Sequence, residues 1–277
     1  LTELAPSRGA ALMPVVWEIL QALRDGADAR IRVGDDLGVF SQPGPWALTW
    51  MDAVVDGVPV TPRSGHAVEI DALMYNAVAF ALDAPLSRGG GGEPWRRALA
   101  RAKDAFLPRY WLAELGYLAD GHDGRVPDVS LRPNKLWALG LPYSPVPRDL
   151  ARRAIGAVTE ELLTPAGLRT LAPRDARYCG RYEGNQTNRD RAYHQGTVWP
   201  WLLGPYADAV LRAYGKSERR ARVKPCLAFF EWHLREDACL GQISEVFDGD
   251  PPHRAGGAPA QAWSVAEVFR VVDAVQA

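Results

Sequence analysis

A chain of 277 residues can bury a conventional core as one large domain or two small ones, and 32 Lys and Arg against 33 Asp and Glu leave a net charge of -1. That balance argues against a nucleic-acid or membrane-surface partner, both of which need a basic face. Three cysteines, Cys179, Cys226 and Cys239, contain no C-x-x-C and cannot all pair, which argues for a reducing, cytoplasmic setting and against a disulfide scaffold or cysteine zinc site. Gly (26) and Pro (22) are frequent enough for long ordered loops, and ten Trp must serve as core, interface or ring-stacking surface, with core the default for about two thirds of them. No apolar run reaches the roughly 18 residues of a membrane helix, so no membrane span is expected. The start, with Glu3, Arg8 and no initiator Met, does not read as a signal peptide and marks the chain as an expected piece of a longer protein.

Apolar periodicity predicts eight helices. Residues 11–26 carry Leu12, Val16, Ile19, Leu20 and Leu23 at helical spacing before Gly26. Val68 to Leu82 is apolar on most faces, as a buried helix would be. Residues 93–107 form an amphipathic, Arg-rich stretch that Pro108 should end or kink, entered through the connector Gly89 to Gly92. That glycine run lacks a following Gly-Lys-Ser/Thr, so it is not a phosphate loop. Then come Asn134 to Leu141, Leu150 to Leu163, an apolar run from Val198 to Tyr214, a charged one from Glu218 to Glu236, and Ala260 to Val275. Charged-faced and apolar helices alternate, the pattern of a double ring with an outer and an inner layer. The spacing is too irregular for an α-solenoid.

A Gly-apolar signal follows each charged helix, at Leu37-Gly38-Val39, Gly116-Tyr117-Leu118, Gly167-Leu168 and Leu240-Gly241. Each introduces a long loop, and four such loops at one end of the helices would assemble a site from residues far apart in sequence. In the first loop Asp52 sits among Trp50, Met51 and Ala53, where desolvation would suit a general acid; a helix or turn cap is the alternative. Arg63 and Glu69 either pair with each other or hold ligand hydroxyls. In the second loop Arg132 and Asn134 bind substrate or cap the helix behind Pro133.

The third loop runs from Arg181, Tyr182 and Glu183 to Tyr193-His194-Gln195-Gly196-Thr197-Val198-Trp199-Pro200-Trp201. Aromatic faces beside hydrogen-bonding groups are what a sugar pocket requires, although a lone His is as often structural. Asn185-Gln186-Thr187 matches a glycosylation sequon, which has meaning only in a secreted chain. The fourth loop holds Glu245 in an apolar frame and leads to Gln261-Ala262-Trp263-Ser264; Asp248 and Asp250 fail the remaining positions of a calcium loop, and no metal or cofactor is expected. One early and one late carboxylate suit a glycosidase, one protonating the leaving oxygen and the other activating water. The chain has no G-x-S-x-G, H-E-x-x-H or G-x-G-x-x-G.

Five ordered blocks carry a resemblance over nearly the whole chain: Leu48-Thr49-Trp50-Met51-Asp52-Ala53, Thr61-Pro62-Arg63 through Val68-Glu69-Ile70, Arg132-Pro133-Asn134, Tyr193 through Trp201, and Ser244-Glu245 with Gln261 to Ser264. They resemble the C-terminal amylo-α-1,6-glucosidase domain of bacterial and archaeal glycogen debranching enzymes. The resemblance implies an all-α, six-hairpin (α/α) barrel that hydrolyses α-1,6-linked glucose at branch points of glycogen and related α-glucans with inversion. It implies Asp52 as general acid and Glu245 as general base, with His194, Gln195, Trp199 and Arg132 lining the substrate. Trp50, Arg63, Glu69, Asn134, Tyr182, Glu183 and Trp263 complete the candidate binding set. Asp71 and Met74 depart from the Asn and Trp expected there. Six helix pairs are expected of such a barrel and four are counted, so residues 1–277 are expected to be a barrel lacking its first helices and a preceding β-rich domain, and to self-associate or be poorly soluble alone. The alternatives are a related helical-barrel glycosidase, glucoamylase- or trehalase-like, and a non-catalytic glucan-binding domain.

Overall fold

The computed structural model describes residues 6–83 and 92–276. The apolar repeats become helices α1 (Pro6–Arg24), α2 (Val68–Asp83), α3 (Gly92–Tyr110), α4 (Lys135–Gly140), α5 (Arg148–Glu161), α6 (Gln186–Ala192), α7 (Leu203–Tyr214), α8 (Lys216–Glu236) and α9 (Ala262–Gln276). The expected glycine connector lies outside the described residues except for Gly92, which opens α3. Helices with charged faces bury one stripe at three- and four-residue spacing. In α3 that stripe is Trp95, Ala98, Ala102, Phe106 and Tyr110, and in α8 it is Arg219, Val223, Cys226, Phe230 and His233. By contrast, α7 buries Leu203 through Ala207, Ala209, Val210 and Ala213, which is most of its circumference.

Packing sorts these helices into two rows. The inner row runs α2, α4, α7, α9, each against the next; α1 and α3 lie on α2, α5 on α7, and α8 on both α7 and α9. Close approach of α4 to α7 needs Gly140, where a Cβ would stand 2.8 Å from Ala209 N. The main core gathers along this row, with Leu136, Leu139, Ile155, Leu203, Tyr206 and Val210 fully buried. Each such aliphatic side chain contributes about 1.5–3 kcal/mol. A groove of about 490 Å³ between α8 and α9 is lined by Leu227, Leu234, Val268, Phe269 and Val272, and none of the candidate site residues borders it. No helix among the described residues is long and apolar enough to cross a membrane.

The fold is helix-rich but not all-α, which corrects the sequence expectation. Two five-stranded antiparallel sheets are formed by the segments between the helices. The first is built from Ile31–Val33, Val39–Ser41, Gly65–Ala67, Gly121–His122 and Pro127–Asp128, and the second from Leu163–Thr164, Gly167–Arg169, Val198–Trp199, Val246–Phe247 and Ala255–Gly256. Strands of two or three residues are too short to show alternation in a sequence. The recurrent Gly-apolar signal marks left-handed turns, at Gly116, Gly167 and Gly241; in the first unit the left-handed residue is Leu37 (φ 58°). At Gly167 a Cβ would also meet Trp199 O at 2.7 Å, so this turn requires glycine for space as well as for φ.

Two further readings are corrected. Pro108 does not end α3, which continues to Tyr110. The apolar run from Val198 is not helical from its start: Val198–Trp199 is a strand, Pro200–Leu202 a 3-10 turn, and the α-helix begins at Leu203. Trp199 is opposite Leu168 in the sheet, and that pairing outweighs the local apolar pattern. The tryptophans match the core-dominated expectation: Trp95, Trp199 and Trp201 are buried, and Trp17, Trp50, Trp111 and Trp137 are partly buried against the core clusters, whereas Trp232 and Trp263 are exposed.

Candidate active site

The two sheets and a set of long-range polar bonds bring the four loops together. In the second sheet Val198 pairs with Phe247, and Val246 with Gly256, so the third and fourth loops lie side by side. Tyr182 N–H donates to Asp248 across the same seam (2.8 Å). The first loop is tied to the second by Trp50 Nε1 donating to Asn134 Oδ1 (2.7 Å), and to the third by Gln195 Nε2 donating to Val60 O and Thr61 Oγ1 (both 3.1 Å). Arg132 joins the second loop to the third through Gln195 Oε1 (2.8 Å) and His194 O (2.6 Å). Residues up to 135 positions apart thus share one polar framework.

At its surface, half-buried Glu245 is held at both carboxylate oxygens. Oε1 accepts from Tyr193 OH (2.6 Å) and Oε2 from Ala258 N–H (2.8 Å), while Gln261 Nε2 stands 3.4 Å from Oε1. Gly257 (φ 68°) makes room for this arrangement: a Cβ there would lie 3.0 Å from Glu245 Cβ and 3.1 Å from its Cδ, and closer still to Oε2. Asp52 is exposed between buried Met51 and Ala53. Its apolar neighbours face inward and leave the carboxylate in solvent, so the desolvation expected from its flanks is absent. It precedes the short hairpin Val54–Val55 and Val58–Pro59 and therefore caps no helix. Burial, the bond to Glu245, and the charges of Glu245, Tyr182 and Asp52 together push the Tyr193 hydroxyl well above the ordinary range.

An aromatic wall backs Glu245 through Tyr193. Trp50 meets His194, Trp199 and Trp201 edge-on, with ring centroids at 5.1, 5.7 and 5.0 Å. His194 and Trp199 are stacked at 5.7 Å, Tyr193 packs on Trp199 at 4.8 Å and on Tyr182 at 5.5 Å, and exposed Trp263 stacks on Trp201 at 3.9 Å. Edge-to-face and offset pairs contribute about 0.5–1.5 kcal/mol each beyond area burial, enough to fix ring directions. His194 is fully buried, and neither ring nitrogen has a hydrogen-bond partner. Burial, with the charges of Arg132 and Arg63 added, pushes its imidazole down to about 3, so it is neutral.

Several candidates support the wall rather than face a ligand. Arg63 and Glu69 form a buried ion pair, Arg63 Nη2 lying 2.8 Å from Glu69 Oε2 and 3.1 Å from Asp120 Oδ2. Burial opposes the guanidinium charge, but Asp120 and Glu69 overcome it and hold Arg63 above its ordinary range. Asn134 makes no cap bond to α4; it accepts from Trp50 and donates to Asp120 (2.8 Å). Arg132 is buried, and burial outweighs the attraction of Asp120 to bring its guanidinium down to about 10. Asp71, one of the two departures, accepts from Val39 N–H, Arg109 and Tyr110 and belongs to the scaffold. Met74, the other, sits in the core between α1, α2 and α3. Asn185 of the sequon caps α6 by accepting from Asn188 N–H (2.9 Å).

The structure therefore links Glu245 through Tyr193 to the ring cluster of Tyr182, His194, Trp50, Trp199, Trp201 and Trp263, and binds Gln195 with Arg132 and Asn134 with Trp50 in the polar framework beside it; Asp52 is exposed on the loop that carries Trp50, and among the described residues no hydrogen bond joins it to Glu245. Glu183 lies in an exposed loop, and among the described residues no hydrogen bond ties it to either carboxylate. The sequence reading missed Tyr193, Gly257 and Gln261 as individual contributors. Tyr193 is adjacent to His194 in a block already singled out, but its role depends on Glu245, 52 residues away.

Helices in two rows beneath loops that carry a cluster of aromatic rings define the class of scaffold, and known proteins share it. Similar solved structures include neutral trehalase from Saccharomyces cerevisiae (12% identity, TM-score 0.55, covering 76% of this chain and 38% of that one). Another is a GH63 mannosylglycerate hydrolase from Thermus thermophilus in complex with glucose (15%, TM-score 0.54, covering 74% and 45%). At those identities the likeness is one of fold. The chain belongs to the amylo-α-1,6-glucosidase family, whose model matches residues 5–270. It is 27% identical over 280 residues to the glycogen debranching enzyme of Saccharomyces cerevisiae, spanning 79% of this chain but 18% of that protein.

Proposed function

We propose that this chain carries an inverting glycosidase site that removes α-1,6-linked glucose from the branch points of glycogen and related α-glucans, in the cytoplasm. Asp52 is the general acid that protonates the glycosidic oxygen, and Glu245 the general base that takes a proton from the attacking water. The observation that carries the reading is Glu245, held at both oxygens by Tyr193 OH and Ala258 N–H beside a wall of Trp50, Trp199, Trp201 and Trp263, with Asp52 exposed two residues along the chain from Trp50. Exposed Asp52 can exchange protons with solvent, as an acid reset in each cycle must. Glu245, gripped at both oxygens, is oriented as a base that must address one water. Aromatic faces supply stacking for pyranose C–H surfaces, and the neutral His194 adds no charge to a site for an uncharged substrate.

We further read the two helix rows as an arc of a six-hairpin (α/α) barrel. The apolar groove between α8 and α9, and exposed Leu12, Val15 and Ile19 on α1, support this, because they are faces that further helices would cover. The test of the catalytic reading is substitution. Asp52→Asn and Glu245→Gln should each abolish glucose release from a branched oligosaccharide while leaving its binding within about twofold. Undiminished release by either variant would refute the assignment of that residue.

A further inference from the structure

Tyr193 is placed so that its hydroxyl can do little except address Glu245. Its ring packs against both members of the stacked Trp199–His194 pair, each at 4.8 Å, and against Tyr182 at 5.5 Å. Its backbone carbonyl accepts from Trp199 Nε1 at 3.0 Å, so both the main chain and the ring are anchored. From that position the hydroxyl meets Glu245 Oε1 at 2.6 Å, while the opposite oxygen is bound by Ala258 N–H. A bond this short to a carboxylate belongs to the charge-assisted class. Space filling alone would be served by a phenyl ring; the hydroxyl is what reaches the carboxylate.

We infer that Tyr193 is the positioning residue of Glu245, fixing the carboxylate's orientation and stabilising its ionised form through the hydroxyl. The inference rests on the reading of Glu245 as general base. Each carboxylate oxygen has two lone pairs, so one donor on each leaves room for a water to donate to the remaining site. Tyr193 is the donor in this bond and keeps its own proton: burial and the surrounding negative groups disfavour the phenolate. The charged or titratable groups facing the pair are His194, neutral and packed on the Tyr193 ring, Asp52 from the first loop, Tyr182 from the third, and Arg189 and Asp190 of α6, which act on Tyr182. Gln261, at the entrance of α9, adds a neutral amide 3.4 Å from Oε1. No cationic side chain bonds Glu245 among the described residues, so the phenol and one backbone amide are its close donors.

Tyr193→Phe tests this because it keeps the ring and its stacking. A hydrogen bond given to the ionised form favours that form, so removing it makes Glu245 harder to ionise. The acid limb of the kcat/KM–pH profile should move upward by about one to two pH units. kcat should fall by about 10- to 100-fold with KM changed less than about threefold. The same displacement should appear without turnover, as an upward shift in the 13C NMR titration of the Glu245 carboxyl, assigned by its loss in Glu245→Gln. An unmoved acid limb and an unmoved carboxyl titration in Tyr193→Phe would overturn the inference, and so would a lowered melting temperature with both titrations unchanged, which is the mark of a structural role. Full activity in Glu245→Gln would overturn the general-base reading itself, whatever Tyr193→Phe does.

Discussion

Gly257→Ala separates the site from the scaffold more cleanly than any deletion of a carboxylate. Gly257 is on the fourth loop at φ 68°, where an added Cβ would be 3.0 Å from Glu245 Cβ and 3.1 Å from Cδ, and inside contact distance of Oε2. The left-handed backbone costs an alanine about 1–2 kcal/mol, and the loop is exposed at Gly257, so the fold should survive with a melting temperature lowered by a few degrees. Glu245 must then swing away, giving up either Tyr193 OH at 2.6 Å or Ala258 N–H at 2.8 Å. A displacement of about 1 Å in a reacting group costs about 100-fold in rate. Steady-state kinetics on a branched oligosaccharide beside a thermal melt is the assay. The expected result is a loss of kcat near 100-fold with a melting change of only a few degrees. A kcat within twofold of the parent would refute the claim that this geometry holds the base.

Two further outcomes follow from the supporting layer. Neutral His194 favours the native state fully above pH 6.5, and that stability is lost as pH falls towards 3, because across the window the unfolded chain binds a proton that the native one does not. Urea melts of His194→Phe between pH 4 and 6 should therefore show a slope of unfolding free energy with pH lower by up to about 1.4 kcal/mol per unit; identical slopes would contradict a buried neutral imidazole. Trp50→Phe deletes the 2.7 Å bond to Asn134 and leaves its buried Oδ1 unpaired, at about 1–3 kcal/mol. A melting temperature unchanged within one degree would show that the bond contributes nothing.

Much of the helical frame could be read from apolar spacing, since α3, α5 and α8 each bury a single stripe that the sequence displays. The sheets could not, because pairs such as Val246–Phe247 with Ala255–Gly256 are too short for a period and are specified by neighbours far along the chain. The polar helix α6 escaped for the opposite reason: Gln186–Ala192 has no apolar stripe, and its only local signal is the Asn185 cap. Within the site, the residue types were readable but not the division of labour. Arg63 and Glu69 read first as partners of each other and second as ligands for substrate hydroxyls, and the structure makes them a buried ion pair with Asp120 beside it. Tyr193 drew no individual notice because the meaning of its hydroxyl depends on Glu245 arriving from the fourth loop.

The most direct test of the central claim is proton NMR of glucose as it is freshly released from an α-1,6-branched oligosaccharide. An acid and a base acting from opposite sides of the sugar, with water between, must give the β anomer first, decaying to the equilibrium mixture. The α anomer appearing first would contradict the Asp52 and Glu245 assignment, since it would require one of them to attack the sugar directly.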